Sequence, residues 1–258
     1  MAACMKIDVV TLFPGIVEGF FTNSIMARSV AKNVITYNMV DFRNFATDRH
    51  HTCDDTPYGG GAGMVIKPEP LCKALDSIDA KRKRVIYPSP SGRLFTQRYA
   101  EELSQEEELV FICGHYEGID QRVIDLYVDD EICIGDYVIS SGEVSSLVII
   151  DALYRLIDGV ISGESLEEES FIDGLLEYPQ YTRPETYCGI SVPDVLLSGH
   201  HANIRQWRLQ KRLEKTLSHR PELLETASLD VNSRKLLNEL KERSYCEGDL
   251  KDGRDQGY

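Results

Sequence analysis

The stretch "ELVFICGHYEGIDQRVIDLYVDDEICIGDYVISSGE", residues 108–143, decides the fold. It opens on an apolar, β-branched run, ELVFICG (108–114), crosses a glycine-containing turn, and continues as DQRVIDLY (120–127) with helical spacing. A second strand-like run, DEICIGDYV (130–138), closes it. Strand, helix and strand within so short a span form the unit of a parallel sheet, because parallel neighbours need a crossover and a helix supplies it. Strands that are apolar at nearly every position also indicate a sheet covered on both faces.

Working outward, the same texture recurs in KIDVVTLF (6–13), VITYNMV (34–40) and KRVIYPS (83–89), with a helix-like TQRYAEELSQ at 96–105. Thr96 and Asp120 stand where helix N-caps are expected. The run GEVSSLVIIDALYRLIDGV then predicts one long, mostly buried helix over 144–158, closed by Gly159. Beyond it the chain becomes acidic in GESLEEESF (163–171) and proline-rich in YPQYTRPETYCGISVP (178–193). From Val195 onward it is helical in pattern, with Pro221 at a helix start and a polar tail, CEGDLKDGRDQGY, expected to fray. The expected organisation is an α/β domain over 1–160, a flexible acidic and Pro-containing linker over 161–192, and a small all-α domain over 193–258.

The bulk numbers set bounds on function. With 258 residues, 42% of them hydrophobic, the chain can bury a full core. No run approaches the roughly 18 apolar residues of a membrane span, and MAACMK lacks the apolar core of a secretory signal, so a cytoplasmic protein with no membrane partner is expected. Seven cysteines without a C-x-x-C pair read as reduced, buried thiols. The net charge of −14 (28 minus 42) argues at first against a polyanionic partner. Charges separated by more than about 8 Å are largely screened, however, so a local basic face can outvote the total.

Three strand ends carry turn-forming residues and point the same way in a parallel sheet: YPSPSGR (87–93), CGHYEGID (113–120) and IGDYVISSGE (134–143). Ligands of open α/β sheets bind outside the carboxyl ends of strands, so these loops form the candidate pocket. The segment DRHHTCDDTPYGGGAGMV (48–65) is a long loop too rich in special residues to be a simple turn. It lacks the Gly-Lys-Ser/Thr of a phosphate loop and does not match the dinucleotide fingerprint. His50/His51 and His200/His201 are adjacent rather than one helical turn apart and suggest no zinc site. Farther on, Arg205, Arg208, Arg212 and Lys215 recur at spacings of three and four beside Lys211, a basic helix face suited to phosphate contact.

Taken together, LFP near the start, DRHHTCDDTPYGGGAGMV, VIYPSPSG, CGHYEGIDQRVID, IGDYVISSGE, SFIDGLLEYPQYTRPE and VPDVLLSGHHANIRQWR resemble the bacterial tRNA (guanine-37-N1)-methyltransferases, the knotted TrmD family. The resemblance implies an α/β domain whose C-terminal part forms a trefoil knot around S-adenosylmethionine, a SPOUT-like fold. It also implies a homodimer with active sites shared between subunits and a tRNA substrate methylated at N1 of guanine 37. Family members are described as magnesium-dependent.

Carried over residue by residue, the resemblance places the cofactor at Tyr87, Pro88, Ser89 and Pro90, at Gly114, Tyr116, Glu117 and Gly118, and at Ile134, Gly135, Asp136, Tyr137, Val138, Ile139, Ser141 and Gly142. It puts Asp54, His115, Ser170 and Glu177 with Arg205, Arg208, Arg212 and Lys215 on the tRNA side. The catalytic base falls at Glu169, where the family has aspartate, and its arginine partner at Arg155. His115 stands for a common arginine, Ser141 for glycine and Glu177 for aspartate. Two alternatives stay open: a tRNA- or cofactor-binding homologue with weakened catalysis, and a knotted methyltransferase acting on another RNA. Of the four glutamates in GESLEEESF, Glu164, Glu167 and Glu168 read as solvated linker, while Glu169 is the expected base.

Overall fold

The structure, a computed structural model, describes residues 4–161, 170–171 and 173–252. The chain divides into two compact units, Met1–Ser162 and Gly163–Tyr258. In chain order the first contains β1 (Met5–Thr11), α1 (Pro14–Phe21), α2 (Ser24–Ala31), β2 (Ile35–Asp41), the two-residue strands β3 (Asp54–Asp55) and β4 (Val65–Ile66), and α3 (Pro68–Ser77). It continues with β5 (Arg84–Leu94), α4 (Gln97–Leu103), β6 (Glu108–Ile112), α5 (Gln121–Tyr127), β7 (Asp130–Cys133) and α6 (Gly142–Tyr154).

Five of these strands form one sheet in the order β2-β1-β6-β5-β7, and every pairing in it is parallel. Alternation along the strands fills both faces. Ile7, Val9, Leu109 and Phe111 join Val17, Phe21, Ile149 and Leu153 on one side. Val10, Val110 and Ile112 join Phe42, Leu71, Leu75 and Val123 on the other. Thr96 and Asp120 cap α4 and α5 as expected, accepting from the backbone N–H of Tyr99 and Arg122. Cys53, Cys113 and Cys133 are buried free thiols, and burial pushes the Cys113 thiol well up; Cys188, by contrast, is exposed.

Three features depart from the expectation. Helix α6 ends at Tyr154 rather than at 158, and Gly159 lies in the following turn with φ of +88°. Strand β5 pairs with β7 twice, through Pro88↔Ile132 and again through Arg93↔Ile132, so the residues between are looped out. Helices α1, α2 and α3 were not foreseen as separate elements.

The second unit begins its regular structure with the hairpin β8 (Thr186–Tyr187) and β9 (Ile190–Ser191), which the proline-rich linker reading missed. Helices α7 (Asp194–Leu197), α8 (His201–His219) and α9 (Val231–Asp252) follow, with a 3₁₀ turn at Pro221–Glu225. Helix α9 runs into the tail that was expected to fray. A small leucine core of Leu175, Leu213, Leu237 and Leu240 holds this unit together.

One ionic cluster ties the far edge of the sheet. Arg84 donates to Asp130 at 2.7 Å, to Glu106 at 2.9 Å and to Glu102 at 2.9 Å, while the Tyr99 hydroxyl donates to Asp130 at 2.6 Å. Burial alone would raise the Asp130 carboxyl, but the Arg84 and Tyr99 hydrogen bonds outweigh it and hold it below the ordinary value. The sign follows: a depressed folded pKa gives stability that is present above the ordinary aspartate value of 3.8 and is lost as pH falls through the folded one. Asp130→Asn should therefore cost about 2–3 kcal/mol in urea unfolding at pH 7. The gap from wild type should narrow at pH 3, and a gap independent of pH would contradict this account.

Candidate functional site

The carboxyl ends of β5, β6 and β7 open onto a cleft of about 280 Å³. Its walls are Tyr87 to Pro90 of β5, Gly114 to Gly118 after β6, and Ile132 to Gly135 with Tyr137 to Gly142 from the end of β7 and the loop after it, joined by Ser145 of α6. Parallel strands force these ends to one side. Backbone contact then draws the loops together, since Gly142 donates its N–H to the Gly114 carbonyl at 2.8 Å. Every residue assigned to the cofactor from the sequence lines this cleft except Asp136.

Tyr87 is the floor. The residue is 7% exposed, and a Cβ on Gly114 would stand 3.0 Å from the phenol oxygen. Burial raises the phenol's pKa, partly offset by a backbone hydrogen bond at Ile119. Around it the apolar surfaces of Pro88, Ile134, Val138 and Ile139 alternate with exposed backbone polar groups, and Glu117 adds a carboxylate. Such a lining fits a ligand with a flat apolar body, hydrogen-bonding edges and a positive charge.

Behind the cleft lies a polar cluster that sequence reasoning missed. Glu143, in the first turn of α6, is fully buried. It accepts from the Thr11 hydroxyl and meets His115 Nε2 at 2.6 Å. The helix N-terminus favours a carboxylate at that position, which offsets part of the cost of burying it. His115 also packs its ring on Phe13 at 4.8 Å, and Arg43 lies over the other aromatic at 5.8 Å. An acidic residue in the first helical turn was the available signal for Glu143; its partners lie 28 and 132 residues away along the chain.

The remaining sequence-predicted residues fall elsewhere. Arg155 is the C-cap of α6, at the opposite end of that helix from the cleft-lining Gly142. Asp54 sits in the short β3–β4 ladder, opposite Ile66. In the second unit, the Ser170 hydroxyl accepts from the Glu177 N–H at 3.0 Å. Arg205 and Lys215 are exposed, and Arg208 stacks over Tyr178 at 4.7 Å. Arg212, read from the sequence as part of the basic helix face, is turned inward. It is buried, its two terminal nitrogens donate to Asp173 at 2.8 and 2.5 Å, and its Nε reaches the Leu176 carbonyl at 3.4 Å. That guanidinium holds residues 173–176 to α8. Glu169 lies outside the described residues.

Among the described residues no trio of His, Cys, Asp or Glu side chains is placed to hold a metal ion, and no helix is long and apolar enough to cross a membrane.

The profile of the family described as tRNA (Guanine-1)-methyltransferase TrmD matches residues 5–226. The chain is 66% identical over 223 residues to a tRNA (guanine-N(1)-)-methyltransferase of Treponema denticola, covering 86% of this chain and 92% of that one. It is 61% identical over 223 residues to the protein of that name from Treponema pallidum, covering 86% and 89%. A third, from Borreliella burgdorferi, is 58% identical over 221 residues, covering 85% and 92%. With most of its length matched at such identity, and with the strand-end cleft in place, the chain belongs to the tRNA (guanine-1)-methyltransferase TrmD family.

Proposed function

We propose that this protein methylates N1 of guanine 37 in tRNA, using S-adenosylmethionine held in the strand-end cleft. The observation that carries the reading is the convergence of three loops, from β5, β6 and β7, on one cleft in a chain so similar to tRNA (guanine-N(1)-)-methyltransferases. The donor supplies an electrophilic methyl group on a sulfonium. The cleft residues hold it: Tyr87 and Ile134 against an apolar face, Gly114, Gly118, Gly135 and Gly142 by close backbone approach, and Glu117 by charge.

Guanine N1 carries a proton and is a weak nucleophile until that proton leaves, so a base within about 3 Å is required. Glu169 is the proposed base, with Ser170 and Glu177 beside it in sequence to meet the tRNA. As N1 loses its proton, charge spreads onto O6, and the Arg155 guanidinium stabilises it there. A glutamate is one methylene longer than the family's aspartate and carries the same carboxylate. The proposed setting is a knotted cofactor domain, a linker and a helical tRNA-binding domain with Arg205, Arg208 and Lys215 toward phosphates. Asp54 and His115 are proposed to face the RNA from the first domain.

The proposed enzyme is a homodimer, a reading that the length of α6 supports. Its 13 residues separate Arg155 from the cleft by roughly 20 Å at 1.5 Å per residue. One chain therefore does not supply both to the same reacting atom. Val144 and Val148, 48% and 46% exposed, lie on the helical face that leads to Arg155. Two copies of α6 packed antiparallel across this apolar stripe would bring each Arg155 to the partner's cleft.

Two measurements test this reading. Incubation of guanine-37 tRNA with labelled cofactor, followed by mass analysis of the nucleosides, should give 1-methylguanosine at position 37. Glu169→Gln should lower single-turnover transfer by about 10²–10⁴-fold with cofactor affinity kept; full activity in that variant would refute the base, and tight tRNA binding without any methyl transfer by the wild type would favour a binding protein. Separately, Gly114→Val, which fills the cleft, and Arg155→Ala should each be inactive alone. Refolded together they should regain activity, because one site of each mixed dimer then has an intact cleft and an intact arginine; no recovery would place both groups in one chain.

A further inference from the structure

The glycine-rich loop before β4 is bonded directly to the cleft loop after β6. The Glu117 N–H donates to the Met64 carbonyl at 3.0 Å, the Ile66 N–H to the Gly118 carbonyl at 3.0 Å, and the Asp120 N–H to the Ile66 carbonyl at 3.0 Å. Ile66 and Ile119 form a parallel bridge between them. At the head of this ladder stands Gly63, with φ of +88°. A Cβ there would fall 2.5 Å from Glu117 Cγ and 2.8 Å from its Cδ, and it would overlap the carboxylate as well. The Glu117 side chain thus lies against bare backbone, in space that any other residue would fill. Glu117 is also a wall of the cleft.

We propose that Gly63 is a positioning residue: the space left by its missing side chain seats Glu117, so that the glycine-rich loop sets where the Glu117 carboxylate stands at the cofactor cleft. The inference rests on the reading of that cleft as the methyl-transfer site. Glu117 is an exposed, flexible side chain, so an alanine at 63 would swing it aside at little cost to the fold and move the carboxylate. A shift of about 1 Å at a reacting site can cost on the order of 100-fold in rate.

Gly59 provides the control. It has the same φ of +88° in the same loop, and a Cβ on it would meet nothing within 4 Å. Alanine at either position carries the same left-handed backbone strain, and only Gly63→Ala collides with Glu117. Four proteins are compared with wild type for methyl transfer to tRNA, for S-adenosylmethionine affinity by calorimetry and for melting temperature: Gly59→Ala, Gly63→Ala, Glu117→Ala, and Gly63→Ala with Glu117→Ala. The two glycine variants should melt within a few degrees of each other. Gly63→Ala should transfer methyl groups about 30- to 100-fold more slowly than Gly59→Ala. Glu117→Ala should slow the wild type, and adding Gly63→Ala to it should cost no more than about threefold further, because alanine at 117 has no Cγ for the new Cβ to meet. Equal losses in the two glycine variants, or the full loss of about 30-fold again in the Glu117→Ala background, overturn the proposal. If the wild type binds cofactor but methylates no tRNA, the function reading fails while the calorimetric comparison still decides the seat: Gly63→Ala weakening cofactor binding in the presence of Glu117 and not in the Glu117→Ala background sustains it, and unchanged affinity overturns it.

Discussion

Gly142 sets its backbone against that of Gly114, with a hydrogen bond at 2.8 Å and room for no side chain: a Cβ would stand 2.5 Å from the Gly114 nitrogen and 2.8 Å from the Cys113 Cα. The rest of the first unit depends on this approach. It fixes where α6 begins, which places Glu143 in the helix's first turn beneath His115 and Thr11. It forces residues 134–141 to curl back over the end of β6, so that the loops of three different strands share one wall. Hydrophobic packing of Ile149, Ile150 and Leu153 holds the helix on the sheet, but packing alone would tolerate a slide along the axis. The backbone contact removes that freedom.

Buried charge supplies register elsewhere. Asp8 meets Lys83 at 2.8 Å and Asn38 at 2.8 Å, Asp130 meets Arg84, and Asp173 meets Arg212. Exchanging such a pair for apolar side chains is often neutral or stabilising, so net stability is a weak reason for its presence. Each pair instead joins segments far apart in sequence at one position only. In the first unit, the Asp8 and Asp130 pairs together with the Thr11, Glu143 and His115 cluster fix the frame from which the cleft loops project, while Asp173 and Arg212 do so only within the second unit.

Much of the frame was legible in the sequence, and the part that was not has physical reasons. The strands of the sheet announce themselves because both faces are buried and the runs are β-branched, as in VVTLF and ELVFI. The cleft loops were legible because parallel strands send their carboxyl ends one way and these ends carry small residues. The looping-out of β5 was hidden, since it depends on which residue of β7 each half of the strand meets. Arg212 was misplaced because periodicity marks a stripe without saying which part of it faces the core; its partner, Asp173, is 39 residues away. Arg155 raises a different point: expected within the long helix, it is instead the C-cap, and the length of α6 separates it from the cleft of its own chain.

The withdrawal of Arg212 from the surface has a consequence for how RNA binding responds to salt. Its neighbour Lys211 is also engaged, with Glu214 at 2.6 Å, which leaves Arg205 and Lys215 as the exposed cations of that helix stripe. Few phosphates are neutralised by so short a row, and the surrounding chain carries a net charge of −14. Under the proposed function, this stripe by itself releases few counterions from a bound RNA, so the share of RNA binding that it supplies should vary only shallowly with salt.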